Sequence, residues 1–240
     1  SALFDLPRQA LRWRTQQKER AMYADVLDAM SNLLAGRFIR ARKSAEAALG
    51  QERSLATGGH AASNGAQVRT LAHLLAAESA QSLQDKGARE EHLKLALEQG
   101  TARDAQEARE GALIRAATWS LDDQDPDAAI GWLKELPQGA GRRTIALRTR
   151  LKAARLARRT AEALETARLL AKHRAFSSSA AESLVRGLAI DMLNGSHDAG
   201  QLQRTWLSLE PAGIRLGVVR GISKAAFASL SAASDGNMPP

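Results

Sequence analysis

The chain has 240 residues, 44% apolar but only 4% aromatic, with 34 Lys and Arg against 26 Asp and Glu, a net charge of +8. Most of its apolar share is Ala and Leu, which with Arg, Glu, Gln and Lys are strong helix formers, and the residues that favour strands are scarce, so an all-α fold is expected. The absence of Cys excludes disulfides, thiolate zinc sites and a Cys nucleophile, and suits a reducing compartment.

Residues 1–20 interleave Phe4, Leu6, Leu11 and Trp13 with Arg8, Arg12, Arg14, Lys18 and Arg20. That make-up predicts a basic juxtamembrane helix, with Arg8, Arg12, Trp13 and Arg14 as membrane-proximal residues facing an anionic membrane surface. No apolar run reaches the roughly 18 residues needed to span a bilayer, and no signal-peptide pattern opens the chain, so the chain as given is expected to be soluble.

A repeat domain is expected over 21–234. Helix pairs are predicted at 20–35 with 38–49, 66–84 with 88–99, 104–121 with 127–136, and 142–157 with 160–172. Between the first two pairs, residues 50–65 are rich in Gly and polar residues and predict a mobile loop. Ser179, with Glu182 three residues on, predicts a capping box opening a helix to Asn194, and Asp198 opens another to Leu209. Pro211 breaks the chain, a last helix is predicted from Ile214 to Leu230, and 235–240 reads as a disordered tail.

An internal period ties these helices together. The segments at 125–133 and 159–167 align with Ala129 on Ala163, a separation of 34 residues, the period of tetratricopeptide repeats. In such repeats antiparallel helices A and B cross through small residues and stack into a right-handed α-solenoid. Gly36, Phe38, Ala41, Ala45, Ala48 and Leu49 supply the turn, the aromatic and the small residues of one B helix, and Gly87, His92, Leu93 and Ala96 form a weaker copy.

With Ala129 and Ala163 set at repeat position 20, positions 2, 5, 6, 9, 12 and 13 of helix A face the concave groove. In the fourth repeat Arg148, Lys152 and Arg155 fall there at i, i+4 and i+7, opposite Leu147, Leu151 and Ala154, and Arg115 of the preceding repeat is expected to join them. This cationic stripe suits an acidic peptide tail or porphyrin propionates. In the first repeat the same positions carry Tyr23, Val26, Leu27, Met30, Leu33 and Leu34, predicting an apolar groove end.

No chemistry beyond binding is legible. Asp122, Asp123, Asp125 and Asp127 resemble a calcium loop until its sixth and twelfth positions prove to be Ala128 and Lys134, so the cluster reads as a solvated turn and helix cap. His60, His73, His92, His173 and His197 are scattered, with no pair four apart to chelate a metal, and His73 is the candidate if haem binds. No nucleophile elbow, phosphate loop or dinucleotide fingerprint occurs, so a non-catalytic protein without cofactor or metal is expected. Nucleic acid is disfavoured, because stacking aromatics are few and acidic residues interleave with basic ones.

The order of a basic segment, a helix, and the Gly36, Phe38, Ala41, Ala45, Ala48, Leu49 signature resembles the bacterial HemY family, as do the segment from Lys172 to Phe176 and the Leu202, Trp206, Leu209 spacing. The resemblance implies a protein held in the bacterial inner membrane by N-terminal spans outside this sequence. Its repeat domain would serve haem biosynthesis by interacting with other proteins, haem-pathway enzymes among them, and porphyrin itself is a candidate ligand. The positive-inside rule then puts the domain on the cytoplasmic face. The competing expectation is a general tetratricopeptide peptide-binding module unrelated to haem, and behind it an RNA-binding helical repeat suggested by the basic charge.

Overall fold

Helix-forming composition dominates the outcome. The computed structural model describes residues 2–209, with side chains from Gln9, and these are 82% helix with no strand among the described residues. Eleven α-helices occur there: α1 Ala2–Leu34, α2 Phe38–Thr57, α3 Gly65–Ser82, α4 Lys86–Gln99, α5 Gln106–Asp122, α6 Pro126–Lys134, α7 Gln138–Gly141, α8 Thr144–Leu156, α9 Thr160–Lys172, α10 Ser178–Asn194 and α11 Ala199–Ser208. A short 3-10 turn at Arg103–Ala105 and the single-turn α7 were not anticipated. The helix expected from Ile214 and the tail at 235–240 lie outside the described residues. The fold is all-α, its helices packed in neighbouring pairs within two units, Ser1–Ala116 and Ala117–Pro240.

In the first unit, no helix break separates residues 20 and 21. No Gly or Pro occurs between residues 8 and 35, so nothing stops the helix and α1 runs through. Its two halves differ in packing. From Gln9 to Arg20 it is almost wholly exposed, whereas Met22 and Ala29 are fully buried. The small residues predicted for the B helix, Ala41, Ala45 and Ala48, are all buried on α2; Ala45 clusters with Ala29 and Ala76, and Ala48 with Leu49 and Ala72. Where Ala29, Ala45 and Ala76 meet, no long side chain intervenes and α1, α2 and α3 can pack backbone close to backbone.

The expected loop at 50–65 is also shorter than predicted. Helix α2 continues through Gly50 to Thr57 because Glu52 and Leu55 are buried, and that burial offsets the roughly 1 kcal/mol that a mid-helix Gly costs. Only residues 58–64 remain non-helical.

One turn geometry recurs in both units. Gly36, Gln84, Gln124, Arg158 and Arg174 each stand in the left-handed region with φ between 53° and 71°. After each, the next amide donates back five residues: Arg37 to Asn32, Asp85 to Ala80, Asp125 to Ser120, Arg159 to Ala154 and Ala175 to Leu170, all at 2.8–3.0 Å. This is the Schellman closure, which satisfies carbonyls left open at a helix end and turns the chain into the next helix.

In the second unit a Leu-rich core gathers Leu147, Leu151, Leu164, Leu170, Leu188, Leu193 and Leu202 from α8 to α11. Ala129 and Ala163, the residues that defined the 34-residue period, are both fully buried, on α6 and α9. Asp198 caps α11 as predicted, accepting from the Gln201 amide at 2.7 Å. The cap of α10 is Ser177 rather than Ser179, since Phe176 just before it packs on the Leu-rich core and sets where the helix can start.

Candidate functional site

Helix α8 is amphipathic in the predicted sense. Leu147, Leu151 and Ala154 are buried, and Arg148, Lys152 and Arg155 project from the other side. The three cations line one open groove of about 720 Å³, together with Leu121, Asp122, Gln124, Leu151, Leu156 and Phe176. Its lining thus combines three cations with four apolar side chains, with Asp122 as the acidic member.

The cations are not equivalent. Arg148 Nη2 donates to the Ala175 carbonyl at 2.8 Å, and its guanidinium lies over the Phe176 ring, 5.5 Å from the ring centre. It therefore holds the turn between α9 and α10 and is partly committed to the fold. Lys152 and Arg155 have no acidic or carbonyl partner among the described residues and are exposed. Their charge is available.

Arg115 does not join them. It belongs to the first unit, where its Nε pairs with Glu78 of α3 at 3.2 Å, and it is not a lining residue of the groove. The charge expected for a ligand is spent on a neighbouring helix.

The predicted apolar end of the first unit divides in two. Tyr23 and Val26 pack on the core formed by Met22, Leu55 and Val68, and the Tyr23 hydroxyl donates to Asn64 Oδ1 at 2.6 Å. Leu33 is half-buried, and Leu27, Met30 and Leu34 are exposed, Leu34 at 83%. A single face of six groove residues is corrected to two core residues and a short exposed strip, because α2 and α3 cover the side of α1 that carries Tyr23 and Val26. Of the membrane-proximal set, Arg12, Trp13 and Arg14 are exposed on the first half of α1, and the side chain of Arg8 lies outside the described ones. No helix among the described residues is long and apolar enough to cross a membrane.

The acidic cluster is distributed among structural tasks. Asp125 caps α6, accepting from the Ala128 amide at 2.9 Å, Asp127 pairs with Arg159, and Asp122 faces the groove. Among the described residues no group of three or more carboxylate and imidazole side chains could hold a metal ion.

Sequence spacing gave no hint of one association. His73 of α3 and His92 of α4 meet with their Nδ1 atoms 3.0 Å apart, and the Glu46 carboxylate of α2 lies 4.0 Å from His92 Nε2. Burial, the charge of His92 and then those of Arg53 and Arg69 lower the His73 pKa to about 4, and burial above all lowers that of His92. Helix registers on three elements must be known before these side chains can be seen to converge. Comparisons of the chain with protein-family models, curated proteins and solved structures found no match.

Proposed function

We propose that this chain is a non-catalytic binding domain, a tetratricopeptide-like right-handed solenoid of the HemY kind. In the full-length protein it would be anchored in the bacterial inner membrane, face the cytoplasm and serve haem biosynthesis by holding partner proteins. The haem connection and the anchor are supported by the sequence resemblance and by the exposed basic half of α1. The binding role is supported by the groove, and one observation carries it: among the described residues Lys152 and Arg155 stand unpaired, in a lining shared with Leu121, Leu151, Leu156 and Phe176. Apolar walls with a few convergent charges are the make-up of a recognition site.

The second reading is a peptide-binding module with no link to haem. The groove lining favours a peptide over a metalloporphyrin, since it offers no His, Met, Cys or Tyr as an axial ligand to iron, only cations for carboxylates. Capture of partners from membrane extracts by the wild-type domain and by the double variant Lys152→Glu, Arg155→Glu, with porphyrin titrated alongside, tests both readings. Capture of haem-pathway enzymes that the variant loses, with helicity and Tm unchanged, is the expected result. Arg148 is excluded from that variant because its reversal would also disturb the Ala175 contact. Equal capture by both proteins would refute the groove's role.

A further inference from the structure

The His73 and His92 rings meet head on. Their centroids are 5.3 Å apart and their Nδ1 atoms 3.0 Å, and the difference is what two ring radii occupy, so the nitrogens lie close to the line joining the rings. Two imidazoles ligating one ion would instead converge at an angle on a shared point. Opposed nitrogens at this distance describe an N–H···N hydrogen bond, which requires one Nδ1 to carry a proton and the other to be bare.

Glu46 sets the direction. A carboxylate beside His92 Nε2 favours a proton on that nitrogen, leaving Nδ1 of a neutral His92 as the acceptor and His73 Nδ1 as the donor. The pair continues into a network that fastens α4 to α2. Arg42 Nε donates to Glu46 at 3.0 Å, Arg42 Nη1 to Asp85 at 2.9 Å, and Asp85 caps α4 by accepting from the Ala88 amide at 3.1 Å.

We propose that the His73–His92 pair is an acid-sensitive latch: with both rings neutral, one proton shared between opposed Nδ1 atoms holds α4 to α3 and α2, and protonation of both rings releases α4. With both rings protonated, N–H faces N–H, and the hydrogen bond is replaced by repulsion between two cations. The surroundings act in the same sense on His73, where Arg53 of α2 and Arg69 of α3 oppose a positive charge. Around His92 they are mixed: Arg42 opposes the charge, and Glu46, Glu91 and Asp85 favour it.

Because both histidines bind protons less readily folded than unfolded, their contribution is complete above the ordinary pKa of 6.5 and is lost as pH falls from there towards 4, the value reached by His73. Within that window each histidine raises the unfolding equilibrium constant by up to about tenfold per pH unit. Asp85, whose pKa is lowered chiefly by the Ala88 amide and then by Arg42, yields only below the ordinary carboxylate value of 3.8, so its loss falls outside the window.

The test is an imidazole 15N NMR titration of the whole chain from pH 7.5 to 4.5, with amide hydrogen exchange of α4 followed over the same range. The latch predicts Nδ1–H on His73, Nε2–H on His92, midpoints below 6.5 for both, and protection factors in α4, taken against the intrinsic exchange rate at each pH, that fall as they titrate. His92→Gln should move the His73 midpoint, and His73→Gln with His92→Gln should flatten the pH dependence of unfolding between 6.5 and 5. Two independent titrations near 6.5, or protection factors in α4 that stay constant across the range, would overturn it. The wild-type titration decides even if a variant fails to fold.

Discussion

The two units treat charge in opposite ways. In the first, cations near the core are spent internally: Glu52, 3% exposed, pairs with Arg69, which also donates to Gln99, Arg42 bridges Glu46 and Asp85, and Arg115 is held by Glu78. In the second, ion pairs such as Arg159 with Asp127 lie near the turns, and the face of α8 leaves Lys152 and Arg155 unpaired among the described residues. Their cores differ too, since the first crosses its helices through Ala and the second packs Leu. A charge pattern alone therefore does not mark a site. What matters is whether neighbouring helices already satisfy it.

The core difference predicts the largest effects. Leu170→Ala, at a fully buried position of the second unit, should cost about 2–5 kcal/mol by transfer and cavity terms. In the first unit the damaging change runs the other way: Ala45→Leu should cost about 1–3 kcal/mol by forcing helices apart. Chemical denaturation of both variants checks the contrast, and a silent Ala45→Leu would disprove close crossing.

Breaking a spent charge comes next. Glu52→Ala leaves the Arg69 guanidinium without its carboxylate, but Arg69 is one-third exposed and water can replace part of the loss, so about 2 kcal/mol is expected. The Gly65 position sharpens the point, because a Cβ there would come within 2.9 Å of Glu52 Oε1. Gly65→Ala should reproduce part of the Glu52→Ala loss, and urea midpoints for the two variants measure it.

A smaller effect of opposite sign is expected at the turns. Gln84 has φ near 58° and an exposed side chain, so Gln84→Gly should stabilise by up to about 1 kcal/mol, read as a raised Tm.

These turns also show what a sequence discloses. Gly36 announces its turn, whereas Gln84, Gln124, Arg158 and Arg174 adopt the same conformation with no local signal, being driven there by the packing of the helices on either side. The 34-residue spacing of Ala129 and Ala163 was legible because burial repeats with it. The stripe on α8 was legible for the same reason, being one face of one helix. Legibility failed where the answer lay on another element: Arg115 needed Glu78, Tyr23 needed Asn64, and His73 needed His92. It also failed at residues 50–57, where local Gly content suggested a loop and the burial of Glu52 and Leu55 kept a helix.

The most direct test of the central claim, that unpaired cations over an apolar floor make the second unit a binding site, is a titration with a short synthetic peptide of alternating Glu and Leu ending in a free carboxylate. The peptide is titrated at low and high salt into the wild-type chain and into the Lys152→Glu, Arg155→Glu variant. Surface reversals of this kind should leave stability within about 0.5 kcal/mol. Saturable binding by the wild type, weakened by salt and lost in the variant, with the melting curve unchanged, is the expected result. Equal binding by the two proteins, or none by either, would contradict it.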